Sequence, residues 1–485
     1  MGVGGLSLIA IFGWLLEIEA AGAGLAVLVA LARDEAAAAQ VFLVTAALMA
    51  FVGTGLVLGF RGHAAPSRRR HGLALILMAW VVLPAFAAVP FVAMTDLSPV
   101  VGYFEAVSVF TTTGATTLAP IEELPRALVF WRAALEWLGG ALTIVAAAAA
   151  IDSGRNAPAG GIHLLSSGIA NVQRLSTIAR EIVPLYVLVT LICGASLSLA
   201  GIPSFDAFCL ALSTVSTGGA MPIDGDLAAY QVPAVAPLMA VFMIIGASNF
   251  VTLRRLRWHL RGARPQRPAA IAWLAAVALA VVATLALVFL THARDEAVSL
   301  SRAVLEGAFT MVSLMSTSAF IHDRDVAVGA PLALIVSLIL VGGAYGSTAG
   351  GLKLSRVMRM LTGANRELDT LIHPSIVAGA RLGRAGDEPQ RILWSYLIAF
   401  LLMVVVVSTA LAGFGLDFEA SLYAAVGAIS NAGPVVDYLG VPGGARTVYA
   451  SVPEPVTGIL ALAMIAGRIE VLALFTLLTP LFWTR

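Results

Sequence analysis

Charge is scarce in this chain. Only 12% of its 485 residues are Asp, Glu, Lys or Arg, about half the share found in ordinary soluble domains. Lysine is nearly absent, since Lys353 is the only one and every other basic residue is arginine. With a formal net charge of +1, no global field draws nucleic acid or acidic partners. The two cysteines, Cys193 and Cys209, lie in or near apolar stretches, which leaves no disulfide framework. The seven histidines are scattered singly, none at metal-ligand spacing. Ser/His/Asp sets and paired carboxylates are missing too, which speaks against an enzyme. Short alternating segments of the kind that build membrane β-barrels are also lacking.

Apolar residues are what the chain has. They make up 59% of it, and the mean hydropathy is +0.94. A bilayer is crossed by about 20 apolar residues in a helix. Apolar runs fall at 7–31, 39–60, 72–95, 127–151, 182–201, 232–253, 269–291, 329–361, 392–413 and 455–483. The sequence therefore predicts an all-α polytopic membrane protein. The N-terminus has no charged region or cleavage site and reads as the first span. Arginines concentrate in segments 61–70, 152–181, 254–267 and 353–391, whereas 96–126, 203–231, 292–328 and 414–454 are acidic. By the excess of basic residues on the inner side, the first set is cytoplasmic, with both termini inside.

Each acidic segment also holds a helix-like stretch too short to span, followed by small residues. The clusters read TTTGATT (111–117), STVSTGGAMP (213–222), VSLMSTSAF (312–320) and ISNAGPVV (429–436). Their turn positions are Gly114, Gly219, Ala319 and Gly433, nearly evenly spaced. Such repetition predicts a pseudo-symmetric membrane protein around an axis. The expected division is 1–70 (two N-terminal helices and a basic loop), then pore repeats at 71–152, 153–262, 263–366 and 367–485. Irregular backbone at membrane depth persists only where protein buries it or water lines it. Four such loops can place consecutive carbonyls around a cation, as in a selectivity filter. Glycine suits the turn because it accepts positive φ, and the C-terminal ends of half-helices favour a cation. The acidic loops would raise the local cation concentration.

The chain resembles the membrane subunit of the Trk/Ktr/HKT potassium transporter superfamily, and within it the TrkH branch. The resemblance covers residues 70–485. It rests on TTTGATT at 111–117, FWRAALEWLGG at 130–140, STVSTGGA at 213–220, GGAYGSTAGGLKLSR at 342–356, SNAGP at 430–434 and GRIEVLALFTLLTPLFW at 467–483. It implies four pore-lining repeats around a potassium filter, a homodimer, and a TrkA-like cytoplasmic ring that carries the nucleotide. This chain would hold no covalent cofactor, only K⁺ as the transported ion. The filter would be Thr112, Thr113 and Gly114; Thr217, Gly218 and Gly219; Thr317, Ser318 and Ala319; and Asn431, Ala432 and Gly433. Loops 152–181 and 362–391, on the cytoplasmic side, are expected to be docking surfaces for a partner, though their residues specify no particular one.

Gly342, Gly343, Gly346, Gly350 and Gly351 interrupt an apolar span. Each costs a helix about 1 kcal/mol relative to Ala, so this helix should break. Ser347 and Thr348 would satisfy freed backbone groups. The resemblance makes this break an intramembrane gate loop below the filter, with Tyr345 and Lys353 beside it. It also makes Arg468, inside the last apolar run, a positive charge facing the pore near the gate. A P-loop reading of Gly346 to Gly351 fails, because Leu352 stands where Lys is required. Arg132 and Glu136, at i and i+4, should pair as a salt bridge. Glu17 and Glu19 are expected to serve helix packing or a small water pocket.

Ala319 departs from the family pattern, which has glycine there. If the position needs positive φ, alanine costs about 1 kcal/mol or turns a carbonyl away. Three readings compete: a gated K⁺ uptake conduit, a Na⁺-permissive cation channel suggested by Ala319, or a non-conducting membrane scaffold or sensor that keeps the fold, with a pore plugged by Tyr345 and the altered third segment.

Overall fold

The structure is a computed structural model that describes residues 8–60, 69–153, 172–250, 253, 300–324, 331–372, 390–439, 448–450 and 452–469. The apolar run 269–291 and most of the basic segments lie outside the described residues, as does the chain beyond 469. Among the described residues every regular element is helical.

Helices α1 (Leu8–Ala32) and α2 (Ala36–Gly59) form an antiparallel hairpin. Helices α3 (Arg69–Ala87) and α4 (Val89–Met94) follow, then α5 (Pro99–Phe110), α6 (Arg126–Ser153) and α7 (Val172–Leu199). The order continues with α8 (Ser204–Ser216), α9 (Val235–Gly246), α10 (Leu300–Met315), α11 (Leu332–Val341) and α12 (Leu354–Ile372). It ends with α13 (Gln390–Gly413), α14 (Phe418–Ser430) and α15 (Glu454–Ile469). Six described segments are long and apolar enough to cross a membrane, including α1, α2 and α13. The 24 residues of α13 rise about 36 Å, more than the roughly 30 Å hydrocarbon core. Its outer face carries Ile398, Leu402, Val405 and Val406, all more than half exposed, which suits lipid rather than water. This is a multi-pass membrane protein.

Helices α5, α8, α10 and α14 are the expected half-helices, of 12, 13, 16 and 13 residues. Each sits beside the helix that follows it, and that helix also packs on the next half-helix. Thus α6 joins α5 to α8, α9 joins α8 to α10, α11 joins α10 to α14, and α15 joins α14 back to α5. The ring closes on itself, which is the four-fold arrangement the repeats predicted.

The N-terminal hairpin docks on the first repeat. Glu35 accepts from the amides of Arg126 (2.7 Å) and Ala127 (3.1 Å), capping the free N–H groups at the start of α6. Trp131 meets Phe42 edge-on at 5.8 Å and donates to the Ala87 carbonyl at 3.2 Å. Glu17 accepts from the Thr54 hydroxyl at 2.5 Å, so it serves helix packing as expected. Glu19 is 2% exposed, and neither of its carboxyl oxygens has a hydrogen-bond partner among the described residues.

Candidate functional site: four backbone segments and a gate loop

The four half-helices end in one way. The amides of Thr112, Thr217, Thr317 and Asn431 donate to the carbonyls of Val109, Thr214, Leu314 and Ala428 at 3.0, 3.2, 3.0 and 3.3 Å. The next amides, of Thr113, Gly218, Ser318 and Ala432, reach back to Ser108, Ser213, Ser313 and Gly427 at 2.8, 2.9, 3.1 and 2.7 Å. This is the Schellman ending, whose left-handed residue is usually glycine. Here that residue is Thr112, Thr217, Thr317 or Asn431, with φ between 53° and 62°. A β-branched residue in that conformation is strained by about 1–2 kcal/mol. The sequence reading assigned positive φ to the glycines alone and missed these four.

A second left-handed residue follows in three segments: Gly114 at φ 76°, Gly219 at 90° and Ala319 at 52°. Ala319 thus adopts the conformation glycine favours. Gly433 does not; it opens a 3₁₀ turn, Gly433–Leu439. Its missing side chain serves close approach instead, since a Cβ there would overlap the backbone of Ala115.

The segments touch around the ring. A Cβ on Gly114 would overlap the Gly218 carbonyl, and one on Gly219 would overlap the Ser318 carbonyl. The Gly433 amide donates to Thr113 O at 2.6 Å. At three interfaces, therefore, the middle carbonyl of one segment abuts the third residue of its neighbour. At the fourth interface the third residue is Ala319, which carries a Cβ where glycine leaves space.

Each segment also has a brace. Glu105 of α5 accepts from Thr116 Oγ1 (2.8 Å), Thr117 N (2.5 Å) and Thr117 Oγ1 (2.8 Å). Glu136 of α6 accepts from the Ala220 amide at 3.1 Å, and its carboxylate lies against Gly218. The Tyr438 hydroxyl donates to Phe320 O at 3.1 Å, and that of Tyr449 to Gly433 O at 3.2 Å. The expected Arg132–Glu136 salt bridge does not form. Glu136 is turned to the second segment, and Arg132 lies in the field of both Glu105 and Glu136, its Nε and Nη1 without hydrogen-bond partners. Spacing along one helix could not show a partner on another.

The helices behind the segments approach closely through glycine. A Cβ on Gly139, Gly246 or Gly467 would run into the carbonyl of Phe110, Val215 or Ile429, the last turn of each half-helix. The three glycines recur at one place in the first, second and fourth repeats.

In the third repeat the corresponding helix breaks, as the glycines predicted. Helix α11 stops at Val341 and α12 starts at Leu354. Between them Gly342, Gly346, Gly351 and Lys353 have φ of 63°, 79°, 73° and 73°. The loop packs against three of the four segments. Thr348 Oγ1 lies 3.0 Å from Gly246 O and accepts from Thr217 Oγ1 at 3.1 Å. The Gly350 amide donates to Thr317 Oγ1 at 2.8 Å. A Cβ on Gly350 would meet Ser430 O. The Ala344 amide donates to Ala247 O at 2.9 Å. Ser347 donates to Ala344 O at 2.6 Å, while a Cβ on Gly343 would press on Ala349.

Two cavities flank the four segments. One, of ≈ 50 Å³, is bounded by Gly114, Gly219 and Ala319, with Arg132, Asp226 and Asp437 at its wall. The other, of ≈ 60 Å³, is bounded by Asn431, Tyr345, Gly350 and Arg468. Arg468 lies at the end of α15, 9% exposed, with its guanidinium 5.9 Å from the Trp80 ring centre. The loop 342–353, with its Tyr345, and Arg468 therefore share one cavity. The acidic loops do more than carry charge. Asp224 accepts from the Ile121 amide at 2.6 Å, Glu122 from the Asp224 amide at 2.7 Å, and Asp226 from the Arg324 amide at 3.1 Å. These bonds tie the first repeat to the second and the second to the third.

The sequence matches the family model TrkH, described as a cation transport protein, over residues 38–263 and 267–481. It is 31% identical over 437 residues to the Trk system potassium uptake protein TrkH of Salmonella typhimurium, covering 86% of each chain. It is 30% identical over 463 residues to the protein of that name from Halomonas elongata, covering 92% of each. The fold matches the crystal structure of the potassium transporter TrkH from Vibrio parahaemolyticus. The TM-score is 0.83 at 29% identity, with 98% of this chain and 99% of that one covered. A closed ring of four half-helices, an interrupted third-repeat helix and these matches together identify the chain as a member of the TrkH family of cation transport proteins.

Proposed function

We propose that the chain takes up potassium across the plasma membrane through a gated pore lined by carbonyls of the four segments. The observation that carries this reading is the identical ending of four half-helices on four touching backbone segments. No covalent chemistry is needed: the ion sheds water and is held by backbone oxygens and half-helix dipoles. Loop 342–353 is the gate, because it packs under three of the four segments and must move for an ion to pass. Arg468 adds a positive charge below it, a local barrier to cations. The relatives' names as potassium uptake proteins support the choice of ion.

The chain works as a homodimer, with a cytoplasmic nucleotide-binding ring that opens the gate and carries the nucleotide. Both termini lie on the cytoplasmic side of the inner membrane. Family resemblance supports the dimer and the ring, and the arginine-rich loops support the orientation.

Flux of K⁺, Rb⁺ and Na⁺ into proteoliposomes holding the purified chain, with and without the ring protein, tests the reading. Selective K⁺ and Rb⁺ flux supports it. Absence of flux under both conditions overturns it in favour of the scaffold. A second reading, a Na⁺-permissive pore, is favoured by Ala319 and predicts comparable Na⁺ flux.

A further inference from the structure

The four segments are braced by two chemistries. Behind the first and second stand carboxylates that accept. Glu105 takes Thr117 N at 2.5 Å and two threonine hydroxyls, and Glu136 takes Ala220 N at 3.1 Å. At the third and fourth stand neutral tyrosines that donate, Tyr438 to Phe320 O and Tyr449 to Gly433 O. Both carboxylates are fully buried. They serve adjacent segments, which meet where Gly114 abuts the Gly218 carbonyl. Two buried like charges at one junction are costly unless a positive group lies near both.

Arg132 is that group. It sits one turn before Glu136 on α6, is 1% exposed, and interacts electrostatically with both Glu105 and Glu136. It shares a cavity wall with Gly114, Thr116, Gly219 and Ala220, which puts it at the junction of the first two segments. Neither its Nε nor its Nη1 is tied to either carboxylate by a hydrogen bond. The other charged groups at that wall, Asp226, Arg324 and Asp437, belong to the chain after the second, third and fourth segments.

We infer that Arg132 is a positioning residue for the first two segments. Its one positive charge is shared by Glu105 and Glu136, so that two carboxylates can stand at the same junction and accept from adjacent segments. Arginine suits the place because it keeps its charge in an interior where lysine readily gives up a proton. Without it, two like charges face one another, and one must leave its amide or give up its charge. Either change frees the amide of Thr117 or Ala220 and lets its segment shift. The third and fourth segments, braced without charge, need no such group. The consequence for ion selectivity rests on the transport reading above; the sharing of charge does not.

The test removes the positive charge and then the surplus negative one. The K⁺/Na⁺ permeability ratio in proteoliposomes and the Tm in detergent are measured for the full wild-type chain, for Arg132→Gln, and for Arg132→Gln combined with Glu136→Gln. In the single variant the ratio should fall about tenfold, the scale of one lost hydrogen bond to a charged acceptor. Glutamine at 136 keeps an acceptor oxygen and removes one charge, so the double variant should return to within about threefold of the wild type. The Tm lost in the single variant should be regained in the same order. If Arg132 only fills space, removing the charge of Glu136 repairs nothing. A double variant as impaired as the single one therefore overturns the proposal, as does an Arg132→Gln variant with wild-type ratio and Tm. Where the wild type conducts, the ratio decides. Arg132→Gln could fail to fold, and the yield of folded protein then replaces the ratio: recovery in the double variant supports the shared charge, and equal loss overturns it. Tm and yield require no flux. A wild type that conducts nothing thus counts against the transport reading alone, and Tm decides this one.

Discussion

The four filter segments and the loop at 342–353 are both irregular backbone enclosed by helices, and they are held in different ways. Each filter segment inherits two backbone hydrogen bonds from the half-helix before it, at nearly the same distances in all four repeats. Each also gains a brace, from Glu105, Glu136, Tyr438 or Tyr449. The gate loop occurs once. It is tied to its neighbours mainly through Thr348, Gly350 and Ala344. Redundant local bonds make a segment rigid, while a few long-range bonds make one that can be released as a unit. On the proposed function, the first property suits a filter and the second a gate.

The comparison is broken most severely by stiffening the filter where it has no room. Gly114→Ala combines a φ of 76° with overlap on the Gly218 carbonyl. Strain and overlap together come to about 3 kcal/mol, or about a hundredfold. Rb⁺ uptake in proteoliposomes should fall by that factor, while the protein keeps its elution volume on size exclusion.

Releasing the gate should act in the opposite direction. Thr348→Val keeps the shape but loses the bonds to Gly246 O and Thr217 Oγ1. Each is worth about 1 kcal/mol net, so flux in the absence of any partner should rise about thirtyfold. Thr348→Ser should restore the closed behaviour. No rise in the valine variant would show that the loop is held by packing rather than by these bonds.

Much of this architecture was legible in the sequence. The spacing of TTTGATT and its three counterparts predicted the ring, and five glycines in ten residues predicted the break in α11–α12. What was illegible depended on contacts between repeats. The left-handed threonines could not be read because threonine disfavours that conformation; only the half-helix ending above them forces it. Glu136 was assigned to Arg132 from their spacing, although its partner, Ala220, lies 84 residues away. Gly139, Gly246 and Gly467 did recur at matching places, and aligning the second helices of the repeats as closely as the clusters would have found them.

A smaller effect is expected at the one interface that departs from the others. Ala319 pays for its φ of 52° with about 1 kcal/mol, and its Cβ stands where a glycine leaves room for the neighbouring carbonyl. Ala319→Gly should raise the K⁺/Na⁺ permeability ratio about fivefold. An unchanged ratio would remove residue 319 from the determinants of selectivity.

The smallest effect separates two roles for Glu136. Its carboxylate is buried against Gly218 and accepts from the Ala220 amide. If Glu136 acts only as an acceptor that fixes the second segment, Glu136→Gln keeps the acceptor oxygen and the volume. Rb⁺ uptake should then change by less than about twofold, because a conserved hydrogen bond leaves little free energy to lose. If instead its negative charge acts on the ion in the filter, removing that charge would weaken cation binding while leaving the backbone in place. The apparent K⁺ affinity would then fall several-fold with the maximal rate preserved. Concentration dependence of uptake in the glutamine variant distinguishes the two, and the geometry of the Ala220 bond favours the acceptor.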